Sequence, residues 1–160
     1  MTMDTTEMPN RIKGKFSKIL VAIDGSQPAM DAAEYAIEMA KKDAAQIIAV
    51  TVNRIPLSSY GLATPEGELN SPQDKEIILE SKERFATLDQ IAKQNNVKLK
   101  TELINSQMSV DGTIVEYAES EDVDLIIMGT RGRSGFKKLL LGSIASAVVT
   151  YSPCPVLIIK

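Results

Sequence analysis

The residues best suited to chemistry lie in the last third of the chain: Gly129-Thr130-Arg131-Gly132-Arg133-Ser134-Gly135, followed by Gly142-Ser143. Glycines let a backbone close on an anion and adopt positive φ, so that several amides can converge on one phosphate. A helix opening at Ser143 adds unpaired amides, the positive end of a helix dipole and a hydroxyl. Arg131, Arg133, Lys137 and Lys138 gather positive charge in a chain whose formal net charge is -3. Turns and caps use the same residues, so the loop alone leaves a phosphate cradle and a plain connector both open. Asp24 is the other candidate. In Asp24-Gly25-Ser26 it follows an apolar run, where a carboxylate can accept hydroxyl hydrogens or simply form a turn.

These groups need a frame to hold them. Ile19 to Ile23 and Val123 to Met128 are nearly continuous apolar runs, the mark of strands buried on both faces. Gln46 to Val52 reads as a third such strand. Ser26 can cap a helix with Pro28 in its first turn, and Ala29, Ala33, Ala36, Ile37 and Ala40 share one helical face. A longer helix spans about 72–94, with Ile78, Phe85, Leu88 and Ala92 on its stripe. Val97, Leu99, Thr101 and Leu103 alternate as in a half-wet strand. Ile114, Tyr117 and Ala118 suit a short helix, and Ser143, Ile144, Ala147, Val148 and Tyr151 suit another. Val156-Leu157-Ile158-Ile159 closes the chain as a last strand.

Five strands separated by four helices predict one α/β domain, a parallel sheet with right-handed crossovers, over residues 16–160. Residues 1–15 read as a disordered polar tail. Asn53 to Pro72, rich in Pro, Gly and Ser, reads as a long surface loop. Ligands of such sheets bind beyond the strand carboxyl ends where the strand order reverses, which points to Asp24 and Gly129.

Composition excludes several functions. The 160 residues contain no histidine and one cysteine, Cys154, so Ser-His-Asp triads, HExxH metal sites and internal disulfides are absent. Acidic net charge, 4% aromatic residues and no tryptophan argue against a nucleic-acid surface. No stretch has the length of a membrane span and no signal peptide is evident, so the expected location is cytoplasmic.

The spacing Gly129, two residues, Gly132, nine residues, Gly142-Ser143 resembles the ATP-binding pattern G-2X-G-9X-G(S/T) of universal stress proteins. The likeness extends from Lys18-Ile19-Leu20-Val21-Ala22-Ile23-Asp24-Gly25-Ser26 to Ser152-Pro153-Cys154-Pro155-Val156-Leu157 and is densest at Asp124 to Gly132. The resemblance implies an open Rossmann-like sheet, adenine nucleotide alpha hydrolase-like, with strand order 3-2-1-4-5. It implies that Asp24 takes the ribose hydroxyls and that backbone groups of Val52 meet the adenine edge. Gly129, Gly132, Gly142 and Ser143 would hold ribose and phosphates, with Arg131 and Arg133 as phosphate partners. Mg2+ would come through the phosphates. Two copies would pair through the uniformly apolar fifth strand, Val156, Leu157, Ile158 and Ile159.

Three functions follow. The first is an ATP-binding switch or sensor in a stress response with little hydrolysis, since no GxxxxGK[ST] loop or histidine is present. The second is a slow ATPase at the same site. The third is a dimeric interaction module in which nucleotide is a minor feature.

Overall fold

The computed structural model describes residues 16–55, 71–130 and 141–160. Nine elements follow in order: β1 (Lys18–Ala22), α1 (Gln27–Asp43), β2 (Gln46–Arg54), α2 (Pro72–Gln94), β3 (Lys98–Ser106), α3 (Val110–Ser120), β4 (Leu125–Gly129), α4 (Ser143–Tyr151) and β5 (Val156–Ile159). The strands form one parallel sheet in the order β3-β2-β1-β4-β5, as expected. The tail at 1–15 and most of the Asn53–Pro72 loop lie outside the described residues, as do Arg131, Gly132, Arg133, Lys137 and Lys138.

Strand alternation divides the core into two layers. In β1, Ile19 and Val21 pack with the alanines of α1 and with Leu88 and Ala92 of α2. Leu20 points the other way, to Ile114 and Ala118 of α3 and Ala145 and Val148 of α4. Alanines at 29, 32, 33, 36 and 40 are all buried and Ile37 is the one large side chain buried among them, so the face of α1 against the sheet is built mainly of small residues.

Three helices pass into their strands by the same turn. Ala44, Asn96 and Asp122 have φ of 53°, 56° and 53°. In each case the next residue donates its N–H five residues back: Ala45 to Ala40, Val97 to Ala92, Val123 to Ala118. This Schellman geometry satisfies late carbonyls of the helix and buries Ala45, Val97 and Val123. Left-handed backbone at a non-glycine residue costs about 1 kcal/mol, and the chain bears it at three positions.

Two expectations need correction. β2 continues through Asn53 and Arg54, past the predicted end at Val52, because β3 pairs with it to Arg54↔Ser106. In α4 the predicted stripe is only partly the buried face. Val148 of the stripe is buried and Ala147 half-buried, and Ala145, outside it, is buried, whereas Ser143, Ile144 and Tyr151 are exposed. Nine residues carrying apolar side chains on nearly every side give periodicity little to resolve, and contact with α3 chooses the face. Among the described residues no helix is long and apolar enough to cross a membrane.

Candidate functional site

The site lies where β1 and β4 end side by side. Adjacent in the sheet, the two strands feed helices on opposite faces, α1 and α4, which leaves a crevice between them. Asp24 stands at the β1 end of this crevice. Its Oδ1 accepts from the Ser26 backbone N–H at 2.9 Å and the Ser26 hydroxyl at 2.6 Å. Ser26 Oγ in turn accepts from the Ala29 N–H at 3.3 Å, capping α1. Asp24 is therefore a turn-former, and it keeps Oδ2 outside these bonds. Gly25, at φ 82°, makes the reversal, and a Cβ there would overlap the Arg84 guanidinium.

On the β4 side, Gly129 runs against the first turn of α1. An added Cβ would come within 2.7 Å of Pro28 Cβ and 2.8 Å of its carbonyl carbon. Thr130 is buried, its N–H donating to Ile159 and its carbonyl accepting from Gly142. Gly142 is the N-cap of α4 and makes no side-chain cap bond. The contrast with the other helices is instructive: Ser26, Ser71 and Ser109 each cap theirs with a hydroxyl. The first-turn amides of α4 at Ser143, Ile144 and Ala145 therefore have no capping side chain, and all three residues line the crevice.

The third margin is the end of β2. Ile23 N–H donates to the Val50 carbonyl at 2.8 Å, and the Ile23 carbonyl accepts the Thr51 hydroxyl at 2.9 Å. In a parallel ladder the same edge returns two residues on, so the N–H and C=O of Val52 face the β1 side beyond the end of β1. Asn53, buried, donates from Nδ2 to Asn105 Oδ1 at 3.0 Å and lies 3.5 Å from Asp74 Oδ1.

Together these margins enclose a cavity of about 410 Å³. Its two walls differ in chemistry. Toward α3 and α4 it is apolar, with Val52, Val110, Ile114, Met128, Ile144 and Ala145. Toward α1 and α2 it is polar, with Asp24, Thr51, Asn53, Glu80 and Arg84. Arg84 Nη2 and Glu80 Oε2 form an ion pair at 2.7 Å one helical turn apart, and Ile77 lies one turn further up α2. An apolar slot against a row of donors and acceptors suits a flat heteroaromatic ring bearing a polar edge.

Of the residues expected to bind, Asp24, Val52, Gly129, Gly142 and Ser143 all line this one cavity. Arg131 and Gly132 lie outside the described residues. Sequence reasoning missed the whole α2 wall, Ile77, Glu80 and Arg84, and also Asn53 and Val110. No local motif marks them, since α2 reaches the crevice only through the tertiary fold. Asn53 carried one signal, a polar residue continuing a buried strand. Among the described residues no group of three or more acidic or cysteine side chains is placed to hold a metal ion.

Comparison with known proteins agrees with this architecture. A family model described as the universal stress protein family matches residues 15–160. A universal stress protein of Methanocaldococcus jannaschii is 36% identical over 147 residues, covering 91% of this chain and 82% of that one. The structure of universal stress protein UspA from Lactobacillus plantarum superposes with a TM-score of 0.77 at 26% identity, over 91% of this chain and 99% of that one. The universal stress protein from Archaeoglobus fulgidus in complex with dAMP has the same fold, with a TM-score of 0.66 at 21% identity, over 91% and 98%.

Proposed function

The chain belongs to the universal stress protein family, and on that premise we propose that its crevice binds an adenine nucleotide, with ATP as the working ligand. The protein would act as a nucleotide-dependent switch or sensor with little intrinsic hydrolysis. One observation carries the reading: a carboxylate, Asp24, and a helix N-terminus without a side-chain cap, at Gly142-Ser143, face one cavity of about 410 Å³ from opposite sides. A nucleotide needs that pairing. Its ribose hydroxyls donate to a carboxylate, while its phosphates accept from helix amides. The Archaeoglobus fulgidus protein holds dAMP, and the proposal extends that ligand class to this chain.

In this pose Asp24 Oδ2 receives the ribose hydroxyls, Val52 presents its backbone edge to the base, and Gly129 lets the chain pass close to the sugar. Gly142 and Ser143 hold phosphate, assisted by Arg131 and Gly132 of the loop. Mg2+ enters through phosphate oxygens. The two acids among the described lining residues are already engaged, Asp24 with Ser26 and Glu80 with Arg84. Neither is set to orient an attacking water, which favours binding over turnover. We also propose that two copies pair through β5, whose residues Val156 to Ile159 are only half-buried in the single chain.

Thermal melts with ATP and Mg2+, with GTP, and without nucleotide test the reading, together with phosphate release. Ligand at about 100 times its Kd stabilises the native state by about 2.7 kcal/mol, or roughly 5–10 °C for a domain of this size. The expected result is such a shift with ATP, lost in Asp24→Ala, and phosphate release far below about 1 s⁻¹. No shift with any nucleotide overturns the binding reading; turnover at ordinary ATPase rates overturns the switch.

A further inference from the structure

Asn53 is the second-last residue of β2 and is only 5% exposed, yet it lines the cavity. A buried carboxamide has two donor hydrogens and one acceptor oxygen to satisfy. Here the nitrogen is engaged twice, toward Asn105 Oδ1 at 3.0 Å and Asp74 Oδ1 at 3.5 Å. Asp74 sets the orientation. A carboxylate only accepts, so the nitrogen of Asn53 must face it and the amide cannot turn over without placing oxygen against oxygen. Asp74 is itself held at the start of α2: its N–H donates to Ser71 Oγ at 3.1 Å and its Oδ2 accepts the Ser71 hydroxyl. Among the described residues no donor bonds Asn53 Oδ1. The carbonyl oxygen is the one uncommitted atom of a rigidly held amide at the rim of the cavity.

Its neighbour supplies the rest of a reading edge. Beyond the end of β1, Val52 offers one N–H and one C=O toward the crevice, since the β1–β2 backbone bonds among the described residues end at Ile23 N–H to Val50. The three groups in order are a donor and two acceptors. A 6-amino purine matches that order, with N1 as acceptor and the exocyclic amine as a double donor. A 6-oxo purine reverses it, carrying a hydrogen on N1 and an oxygen at position 6. It would leave both protein acceptors facing oxygen and the Val52 N–H facing N–H.

We propose that Asn53 is a base-selecting residue, its side-chain oxygen accepting from the exocyclic amine so that the cavity takes 6-amino purines and rejects 6-oxo purines. This rests on the nucleotide reading above. Asp74 and Asn105 are positioning residues, because they act only by fixing the direction of the Asn53 amide.

Titration calorimetry with ATP and ITP, which share sugar and phosphates and differ in the base at position 6, tests this on wild type, Asn53→Leu and Asp74→Asn. Wild type is expected to bind ATP more tightly than ITP. In Asn53→Leu the preference should fall about tenfold, through weaker ATP binding, the consequence of losing one buried hydrogen bond. In Asp74→Asn the ligand-facing residue is unchanged, but an amide at position 74 can donate as well as accept, so Asn53 is free to turn over. The preference should narrow there too, which a merely structural role for Asp74 would not produce. Wild-type ATP binding with the ATP/ITP preference unmoved in Asn53→Leu overturns the assignment and leaves the nucleotide reading standing. If the leucine variant does not fold, an unmoved preference in Asp74→Asn decides in the same way. A wild type that binds neither nucleotide overturns both.

Discussion

Replacing Gly129 by alanine separates two opposing effects on stability. Alanine restricts the unfolded chain, which by itself stabilises by about 0.4–1 kcal/mol. The native contact works against it. The new Cβ would stand 2.7 Å from Pro28 Cβ, 2.8 Å from the Pro28 carbonyl carbon and 3.0 Å from its oxygen. Carbon atoms rest at about 3.5–4.0 Å, so β4 and the first turn of α1 must part by about 1 Å. Two of those atoms are main chain and cannot rotate away. Nor is α1 free to tilt, because its alanine stripe is buried against the sheet along about three turns. Overpacking of this kind costs about 1–3 kcal/mol, for a net loss of about 1.3 kcal/mol at the centre of both ranges. At about 2–4 °C per kcal/mol for a chain of this length, Tm should fall by about 3–5 °C. Urea unfolding followed by far-UV circular dichroism reads the loss as a lower midpoint at unchanged m, since the same surface is exposed. A variant as stable as wild type would refute the reasoning, because only close approach of Pro28 opposes the gain from the unfolded state.

Leu88→Ala should destabilise by about 2–5 kcal/mol in the same assay, since Leu88 is fully buried between α2 and the sheet and leaves a cavity. Ala44→Gly should stabilise by about 0.5–1 kcal/mol, the residue being left-handed at φ 53° where a Cβ is disfavoured; an unchanged midpoint would count against strain there. Burial raises the Tyr117 hydroxyl above its ordinary 10.0, and a hydrogen bond with Tyr117 raises Lys100 in turn. Both folded groups hold protons longer than the unfolded chain, so their stabilisation is complete below pH 10.0 and is lost as pH climbs through the raised values. Melts across that range should show a shallower decline in Tyr117→Phe. Ile158→Arg should convert a β5-paired dimer to monomer by sedimentation; a persisting dimer would place the interface elsewhere.

How much was legible in the sequence depended on how local the deciding interaction is. Ile19 to Ile23 and Val123 to Met128 were readable as central strands because burial on both faces leaves nothing polar to interrupt the run. The face of α1 was readable because its alanines recur at helical spacing from Ala29 to Ala40. Asn53 and Arg54 looked like the start of a loop, since a polar pair seldom continues a buried strand. Asn105 and Asp74, about 50 and 20 residues further along the chain, supply the partners that make it possible. Asp24 and Gly129 were placed by a rule about strand ends, which needs only topology. Glu80 and Arg84 had no such rule, because their place at the cavity depends on how deeply α2 packs.

That depth bears on how a switch would work here. Ser81, Leu88 and Ala92 are the buried residues of α2, and the same helix carries Ile77, Glu80 and Arg84 at the cavity. α4 bears on the opposite sheet face through Ala145 and Val148, and it turns its N-terminus into the same cavity. The proposed nucleotide would thus touch two helices that lie on opposite faces of the sheet, its base and ribose against the β2–α2 wall and its phosphates at α4. Loss of the phosphates would release α4 while leaving the α2 wall engaged. A difference between ATP and adenosine should therefore be felt first at α4 and its exposed Ile144, Val149 and Tyr151. The helix itself packs against β5, the strand proposed to pair with a second copy. Hydrogen exchange in α4 should slow with ATP more than with adenosine, while exchange in α2 should slow equally with both. Equal protection of α4 by the two ligands would break the link between phosphate and the dimer edge.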